Sequence, residues 1–310
     1  MHLNSSSMQL DRRTHPPDVH GRIRLQAENV ELTNLLSVRA LAQKLLASDL
    51  PHLDAVICNA GIGGWIGLNW PQALWTVMLD IRRATTWPEY KLGAPLLGEV
   101  FCANVFGHYM LAHWLMPLLW AAPTSTPSKV VWVSSVEAGL RHYNADDHQG
   151  LRTDAAYEHS KRLTDLLALT AQDQPATARQ RRRLTRPWVL VTHPGVATTS
   201  IISLYWIVAQ AYVLAIYLTR WVGGVCVRRT EAEGWGINGS GKPYSETWWG
   251  GVSWLGGGYN GRRSNAVDAS KDDVENFITD GAEAWRKMEQ LRAEWEARLV
   301  AFDREQAAAV

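Results

Sequence analysis

The chain has 310 residues, 46% of them apolar, and a formal net charge of +1. That size and apolar content favour one elaborated domain with a substantial core, and the near-neutral charge gives no reason to expect a nucleic-acid partner or an acidic substrate. Because Cys58, Cys102 and Cys226 are widely spaced, we expect no metal site, no disulfide framework and a reducing compartment.

The composition of the amino-terminal region indicates a short leader that precedes the folded domain. Residues 1–21 are polar and lack the apolar stretch of a secretory signal, so we expect a disordered leader there. Residues 22–310 are predicted to form a single domain. Weak alternation over residues 23–32 predicts a short strand, and helical spacing of apolar residues predicts a helix over 37–46.

Three short apolar runs, at residues 55–58, 130–133 and 189–192, predict buried parallel strands. Helices are predicted over residues 101–119, ending near a proline, and over 157–170. Strands that alternate with helices of this length predict an α/β fold, a Rossmann-like doubly wound parallel sheet with helices on both faces.

Four further segments elaborate that pattern. Residues 63–98, rich in glycine and tryptophan, predict an insertion or lid, and residues 234–261 predict a loop. Residues 201–219 are almost continuously apolar. A C-terminal helix is predicted over 268–302, with an apolar face that serves ordinary packing and consists of Phe277, Trp285, Met288, Leu291, Trp295 and Leu299.

Candidate chemistry concentrates in a serine pair after a predicted strand and in a Tyr-x-x-x-Lys sequence on the following helix. Residues four apart lie on one helix face, so Tyr157 and Lys161 can point to the same place. A neighbouring ammonium lowers the pKa of a phenol, which can then donate a proton to a carbonyl oxygen. The alternative is a tyrosine and a lysine on a surface helix, because this spacing alone is weakly specific.

The order of five motifs along the chain resembles the short-chain dehydrogenase/reductase family. The motifs are Asn59-Ala60-Gly61, Asn104, Ser134-Ser135, Tyr157 with Lys161, and the turn from Pro194 to Thr198. The resemblance implies catalytic roles for Asn104, Ser135, Tyr157 and Lys161. It implies cofactor contacts from Asn59, Ala60, Gly61, Tyr157, Lys161, Pro194, Gly195, Val196 and Thr198.

Other stretches resemble the fungal 3-keto-sterol reductases of ergosterol synthesis more narrowly. They are Gly64-Trp65, Asn69-Trp70-Pro71, residues 101–109, Arg229-Thr230-Glu231 and residues 233–236. This resemblance implies that NADPH reduces the C3 ketone of a 4-demethylated sterol to the 3β-alcohol. The alternatives are a reductase of a retinoid or aliphatic ketone, and a scaffold without cofactor that holds other sterol enzymes at a membrane.

The sequence departs from the family at its amino-terminal end. No Thr-Gly-x-x-x-Gly-x-Gly turn, which would cradle the cofactor pyrophosphate, precedes residue 55. We therefore expect the first βα unit to be missing, either because the sequence starts too late or because the protein is a truncated relative. The intact downstream motifs favour the first explanation. Arg12 and Arg13 are candidates for a 2′-phosphate by position only, and Glu31 stands where the family usually has an adenine-binding Asp.

Two segments bear on substrate and membrane. Residues 141–150 predict either a substrate-side loop or a plain surface loop. Residues 201–219 approach the length that spans a bilayer, and favour a sterol-binding flap that dips into the lipid surface over a true span. We expect the protein at the cytosolic face of the endoplasmic reticulum membrane or a lipid droplet. Its expected partners are a sterol, the membrane surface and other sterol-biosynthetic enzymes.

Overall fold

The computed structural model describes residues 25–68, 86–88, 97–135, 138–139, 142–171, 186–192, 210, 214, 235–237, 243–245, 267–268 and 271–308. By contacts the chain divides into two units, Met1–Val30 and Glu31–Val310. The predicted leader, residues 1–21, lies outside the described residues. So do Arg12 and Arg13.

The strand predicted over residues 23–32 is wrong in its described part, because residues 25–32 contain no strand. Local hydrogen bonds replace a ladder there. Gln26 donates to the carboxylate of Glu28 at 2.7 Å. In the second unit, the Asn34 N–H donates to the Glu31 carbonyl oxygen at 3.0 Å and closes a turn.

That turn leads into helix α1, Leu35–Leu46. The Asn34 side chain caps its amino terminus by accepting the Leu36 N–H at 3.0 Å, which satisfies one of the free donors of the first turn. Leu35, Val38 and Ala42 form its buried face. The predicted helix is confirmed and begins two residues earlier than expected.

Strand β1, Ala55–Cys58, follows α1. Strands β2, Trp65–Leu68, and β3, Thr86–Pro88, form an antiparallel pair within the predicted insertion. Strands β4, Lys129–Val133, and β5, Trp188–Thr192, complete a three-stranded parallel sheet in the order β1-β4-β5. All three parallel strands were predicted from their apolar runs.

The loop predicted over residues 234–261 is wrong in part, since it contains strands β6, Trp235–Ile237, and β7, Pro243–Ser245. Strand β8, Val267–Asp268, pairs with β7, and all three strands are antiparallel to their neighbours. Their two or three residues each are too few to show the alternation by which a strand is predicted from sequence.

The predicted helix over residues 101–119 divides into two. Helix α2 comprises an α-helical turn, Glu99–Phe101, a π-helical segment, Cys102–Phe106, and a further α-helical part, Gly107–Trp114. Helix α3, Met116–Trp120, follows after one residue and has a proline in its first turn. A proline at that position lacks only an N–H that would have no helical partner, so it starts α3 and separates it from α2.

Helix α4, Ala156–Leu169, and helix α5, Lys271–Ala308, confirm the last two predicted helices. Helix α5 packs along α4, and the Trp285 indole N–H donates to the Leu167 carbonyl oxygen at 3.1 Å. Near the other end of α5, Asp303 forms a two-fold ion pair with Arg39 of α1, at 2.6 and 2.9 Å.

The main core lies between one face of the sheet and helices α2, α4 and α5. It contains residues such as Phe101, Phe106, Leu163 and Met288, with Cys58 and Trp132 from the sheet. On the opposite face, Ile57, Trp188 and Leu190 are 65%, 54% and 41% exposed. Within the described residues, apolar side chains of the sheet therefore face solvent on that side.

Two further expectations concern cysteines and membrane spans. Cys58 and Cys102 are free buried thiols, and burial raises the pKa of each to about 12. Among the helices of the described residues, none combines the length and the apolar character needed to cross a membrane. Apart from Gln210 and Leu214, the apolar segment 201–219 lies outside the described residues.

Candidate active site

Two of the predicted motifs follow the carboxyl ends of neighbouring parallel strands. Asn59-Ala60-Gly61 follows β1, and Ser134-Ser135 follows β4. Parallel strands bring these ends to one edge of the sheet, where ligands bind in open α/β folds. The turn with Pro194, Gly195, Val196 and Thr198 lies outside the described residues.

Asn104 ties this edge to two helices. It lies in the π-helical segment of α2 and is 3% exposed. Its amide oxygen accepts the Ile62 N–H at 2.7 Å, and its amide nitrogen donates to the Ile62 carbonyl oxygen at 2.9 Å and to the Ser160 hydroxyl at 3.0 Å. Single π-helical turns inside α-helices occur frequently at functional sites.

The approach of Asn104 to the turn after β1 depends on Gly61. A Cβ atom at position 61 would lie 2.8 Å from the Asn104 amide oxygen, closer than real Cβ contacts. Glycine at this position therefore allows the helix of Asn104 to reach the turn. Asn59 itself is exposed at the start of the turn, and its N–H donates to the Ile57 carbonyl oxygen at 3.1 Å.

Tyr157 and Lys161 lie on α4, one turn apart, as the spacing predicted. Tyr157 is 8% exposed and Lys161 is 5% exposed. The Lys161 ammonium lies 5.5 Å from the centre of the Tyr157 ring and donates to the Val133 carbonyl oxygen at 2.9 Å. Burial lowers the pKa of Lys161 to about 8, and the Asp165 carboxylate acts in the opposite direction.

The two serines after β4 have different environments. Ser134 is 3% exposed, and its N–H donates to the Thr192 carbonyl oxygen at 2.6 Å, which continues the pairing of β4 with β5. Its hydroxyl contacts the Lys161 carbonyl oxygen at 3.4 Å. Ser135 is partly exposed. This difference supports Ser135 rather than Ser134 as the residue available to a substrate.

Glu31 is engaged locally. Its carboxylate accepts the backbone N–H and the hydroxyl of Thr33, at 3.1 and 2.8 Å, next to the amino terminus of α1. The backbone N–H of Glu31 donates to the Ser37 hydroxyl at 3.0 Å. A role in adenine binding stays a prediction, and it would compete with the bonds to Thr33.

Sequence reasoning missed His108 and Ser160 as parts of this site. His108 follows Asn104 by one turn, and its Nε2 lies 2.8 Å from the Ala60 carbonyl oxygen. Burial lowers the pKa of His108, which favours a neutral ring that donates from Nε2. The i,i+4 spacing to Asn104 was the available signal, since both side chains share one helix face and both hold the turn after β1.

Charged residues are buried beneath the site on α4. Arg162 and Asp165 are each 0% exposed. The Arg162 guanidinium lies 4.9 Å from the centre of the Phe277 ring of α5. Burial raises the pKa of Asp165 to about 7 and lowers that of Arg162 to about 10. Both shifts have the same main cause, because burial disfavours the charged form of each side chain.

A cavity of about 690 Å³ lies away from the predicted catalytic residues, none of which lines it. Its walls come from α2, α3, β4, β5, α5 and the carboxyl end of α4, where Leu167 contributes. Ten residues separate Tyr157 from Leu167, which corresponds to about 15 Å along a helix axis. Within the described residues, no group of three or more His, Cys, Asp or Glu side chains is placed to hold a metal ion.

Comparison with known proteins identifies relatives over most of the chain. The chain is 36% identical to the 3-keto-steroid reductase of Aspergillus fumigatus, over 92% of this chain and 80% of that protein. It is 31% identical to the 3-keto-steroid reductase of Gibberella zeae, over 90% of this chain and 78% of that protein. No protein-family model matches the sequence.

Solved structures are less similar. A short-chain dehydrogenase from Salmonella enterica aligns with a TM-score of 0.37 and 22% identity, over 64% of this chain and 70% of that one. A similarity at this level carries no argument about activity, so the assignment to a family depends on the two fungal relatives.

Proposed function

The chain belongs to the fungal 3-keto-steroid reductases, and on that premise we propose that it reduces a 3-keto sterol to the 3β-hydroxy sterol with NADPH. The observation that carries the proposal is the burial of Tyr157 and Lys161 against each other on α4, beside Asn104 and next to Ser134-Ser135. This constellation can protonate a carbonyl oxygen.

Each of the four residues has a role that follows from its chemistry. Tyr157 donates its phenolic proton to the C3 oxygen, and Ser135 holds the same oxygen by a hydrogen bond. Lys161 places a positive charge 5.5 Å from the phenol ring, which favours the phenolate left after proton transfer. Asn104 joins α2 to α4 through Ser160 and joins α2 to the turn after β1 through Ile62.

The residues present fit the nicotinamide end of the cofactor. The Lys161 ammonium has three N–H donors, and its bond to Val133 takes one of them. The remaining donors can bind the ribose hydroxyls, and Asn59, Ala60 and Gly61 follow β1 at the same edge of the sheet. When bound, the cofactor supplies the hydride that the carbonyl carbon accepts.

NADPH rather than NADH is part of the proposal and is supported by the resemblance to 3-keto-sterol reductases. We also propose that the protein works at a membrane surface, at the endoplasmic reticulum or a lipid droplet, beside other sterol-biosynthetic enzymes. The support is the apolar segment 201–219 and the lipid solubility of a sterol.

Turnover tests the proposal directly. The purified protein is incubated with NADPH and a 3-keto sterol, and the product is identified by gas chromatography with mass spectrometry. We expect a 3β-hydroxy sterol, and we expect Tyr157→Phe to lower kcat by at least about a hundredfold, because general acid catalysis contributes about that much or more. Equal turnover by the two proteins would contradict the assignment of Tyr157.

A further inference from the structure

We propose that His159 is a positioning residue that clamps the loop of residues 142–150 to α4, and thereby sets the spacing between the helices of Tyr157 and Asn104. The role in turnover rests on the proposed function, whereas the clamp itself does not. His159 lies between Tyr157 and Lys161 in sequence, yet neither the motif nor the reaction uses it.

The contacts of His159 show a ring held on both sides. The residue is 1% exposed. Its Nδ1 lies 2.9 Å from the His142 carbonyl oxygen, and its Nε2 lies 3.2 Å from the His148 carbonyl oxygen. The two carbonyl groups belong to opposite ends of one loop, so a single imidazole spans that loop.

Two further contacts fix the plane of the ring. The Tyr143 ring stacks on it, with 5.3 Å between ring centres and 25° between planes. On the other end of the loop, a Cβ atom at Gly150 would lie 3.2 Å from the imidazole, and Gly150 has a φ of 64°. The loop therefore closes around the ring with a glycine where a side chain would be both strained and crowded.

The same loop contacts the helix of Asn104. The Gln149 side-chain oxygen accepts the N–H of Gly98, the N-cap residue of the first turn of α2, at 3.0 Å. The His148 ring packs edge-on against Phe101, with 5.7 Å between ring centres. Phe101 lies three residues before Asn104, so movement of the loop would move the start of the segment that carries Asn104.

The loop is also held by α5 and by hydrogen bonds of its own Asp147 side chain. Lys287 of α5 donates to the Ala145 carbonyl oxygen. The Asp147 carboxylate accepts the backbone N–H groups of Leu151 and Arg152, at 3.0 and 2.7 Å. These bonds make the loop a stiff unit, which is what a clamp needs in order to transmit position from one helix to another.

Adjacent residues of α4 thus reach the helix of Asn104 by two routes. Ser160 bonds to Asn104 directly, at 3.0 Å, and His159 reaches the same helix through the loop. Ser160 holds the contact between α4 and Asn104. His159, through the loop, holds the distance between α4 and the amino-terminal end of α2. Together they determine the position of Asn104 relative to Tyr157 and Lys161.

Histidine suits this position because one ring nitrogen donates to a carbonyl oxygen while the aromatic ring packs against Tyr143 and Gly150. Burial lowers the pKa of His159, and the two carbonyl groups and Asp147 act in the opposite direction. A neutral ring donates one N–H, and the shorter distance favours donation from Nδ1 to His142. An asparagine can place an N–H near the Nδ1 position, whereas a phenylalanine keeps the ring and removes both contacts.

The experiment compares His159→Phe and His159→Asn with a matched control, His113→Phe, which changes a half-exposed histidine on α2 to the same ring. Backbone hydrogen exchange is measured by mass spectrometry in the three variants, and kcat and KM for NADPH are measured with a 3-keto sterol. For His159→Phe we expect faster exchange confined to residues 142–150. We also expect kcat to fall roughly ten- to a hundredfold, as for a small misplacement of catalytic groups, with KM for NADPH unchanged.

Recovery of most of the protection and turnover in His159→Asn, and no change in His113→Phe, would support the proposal. Unchanged exchange of residues 142–150 in His159→Phe would overturn the clamp. A fast-exchanging loop with unchanged kcat, or with kcat and the KM for NADPH altered together, would overturn its positioning role. If the unaltered protein reduces no sterol ketone, the proposed function fails, and the exchange measurement still decides whether His159 clamps the loop.

Discussion

Lys161 experiences two opposed electrostatic influences, and their balance determines the pH range in which the site is competent. Burial disfavours its charged form and lowers its pKa to about 8, while the nearby carboxylate of Asp165 favours the charge. Below that pKa the ammonium is present, can donate to a ribose hydroxyl and faces the Tyr157 ring. Above it the charge is lost, which weakens donation to the ribose hydroxyl and removes the electrostatic support for the phenolate.

We therefore predict that the affinity for NADPH falls as pH rises through about 8. A fluorescence titration with NADPH between about pH 6.5 and 9.5 measures this, and Lys161→Met serves as the control, because it has no proton to lose in that range. The variant should bind weakly and with no change over the same interval. An affinity of the unaltered protein that is constant up to the highest pH would contradict the role given to Lys161.

At the scale of elements, α5 packs against α4, the helix that carries Tyr157 and Lys161. At Gly281 of α5 an added Cβ atom would clash with the side chain of Thr170, with its Cγ2 atom and, at 2.5 Å, with its hydroxyl oxygen. Thr170 follows the last residue of α4, and its hydroxyl donates to the Leu166 carbonyl oxygen at 2.7 Å. Glycine in the interior of α5 is therefore required by packing rather than by backbone conformation.

Gly281→Ala should destabilise the fold by about 1–3 kcal/mol, since overpacking a close contact outweighs the gain in helix propensity. Thermal or urea unfolding measures this loss. The control is the double variant Gly281→Ala with Thr170→Ala, in which the two nearest threonine atoms are gone and only the Cβ atom, at 2.9 Å, stays close. We expect the double variant to lose less stability than the sum of the two single variants, and strict additivity would argue against this contact.

At the scale of the whole molecule, exposed apolar residues bear on where the protein resides. Leu214 is 58% exposed within the apolar segment 201–219, while Leu50 is 42% exposed in the connection between α1 and β1. Burying a leucine side chain in an apolar phase contributes about 1.5–3 kcal/mol. If residues 201–219 contact the lipid surface, Leu214 contributes to binding and Leu50 does not.

Leu214→Glu should weaken binding to phosphatidylcholine vesicles about tenfold or more, as expected when one buried leucine is lost and a charge is added. Leu50→Glu introduces the same charge at a similarly exposed position and should bind as the unaltered protein does. Vesicle flotation measures both. Equal flotation of the two variants would contradict membrane contact through this segment.

The sequence predicted the parallel strands, the long helices and the placement of Tyr157 and Lys161 on one helix, because each depends on a local pattern of apolar residues or on fixed spacing. It did not predict the π-helical segment around Asn104. In that segment the Gly107 N–H donates to the carbonyl oxygen of Cys102, five residues earlier in the chain, where an α-helix would use the residue four earlier. Nor did it predict that His108 and Ser160 hold Ala60 and Asn104. Those contacts join residues that are 48 and 56 apart in sequence, and only the folded chain brings them together.

The roles of Glu31 and of the turn from Pro194 to Thr198 stay predictions, as does the leader over residues 1–21. The strand expected over residues 23–32 was wrong in its described part, residues 25–32, where local hydrogen bonds form and no described strand pairs with the segment. Alternation alone is a poor guide for so short a segment.

Transfer of deuterium from NADPH that carries deuterium at both positions of C4 of its nicotinamide ring tests the central claim most directly. The protein is incubated with the labelled cofactor and a 3-keto sterol, and the sterol is analysed by mass spectrometry. We predict one deuterium at C3 of a 3β-hydroxy sterol from the unaltered protein. With Tyr157→Phe we expect little or no labelled alcohol. An unlabelled alcohol, or no alcohol at all from the unaltered protein, would contradict the assignment of this chain as a sterol ketone reductase.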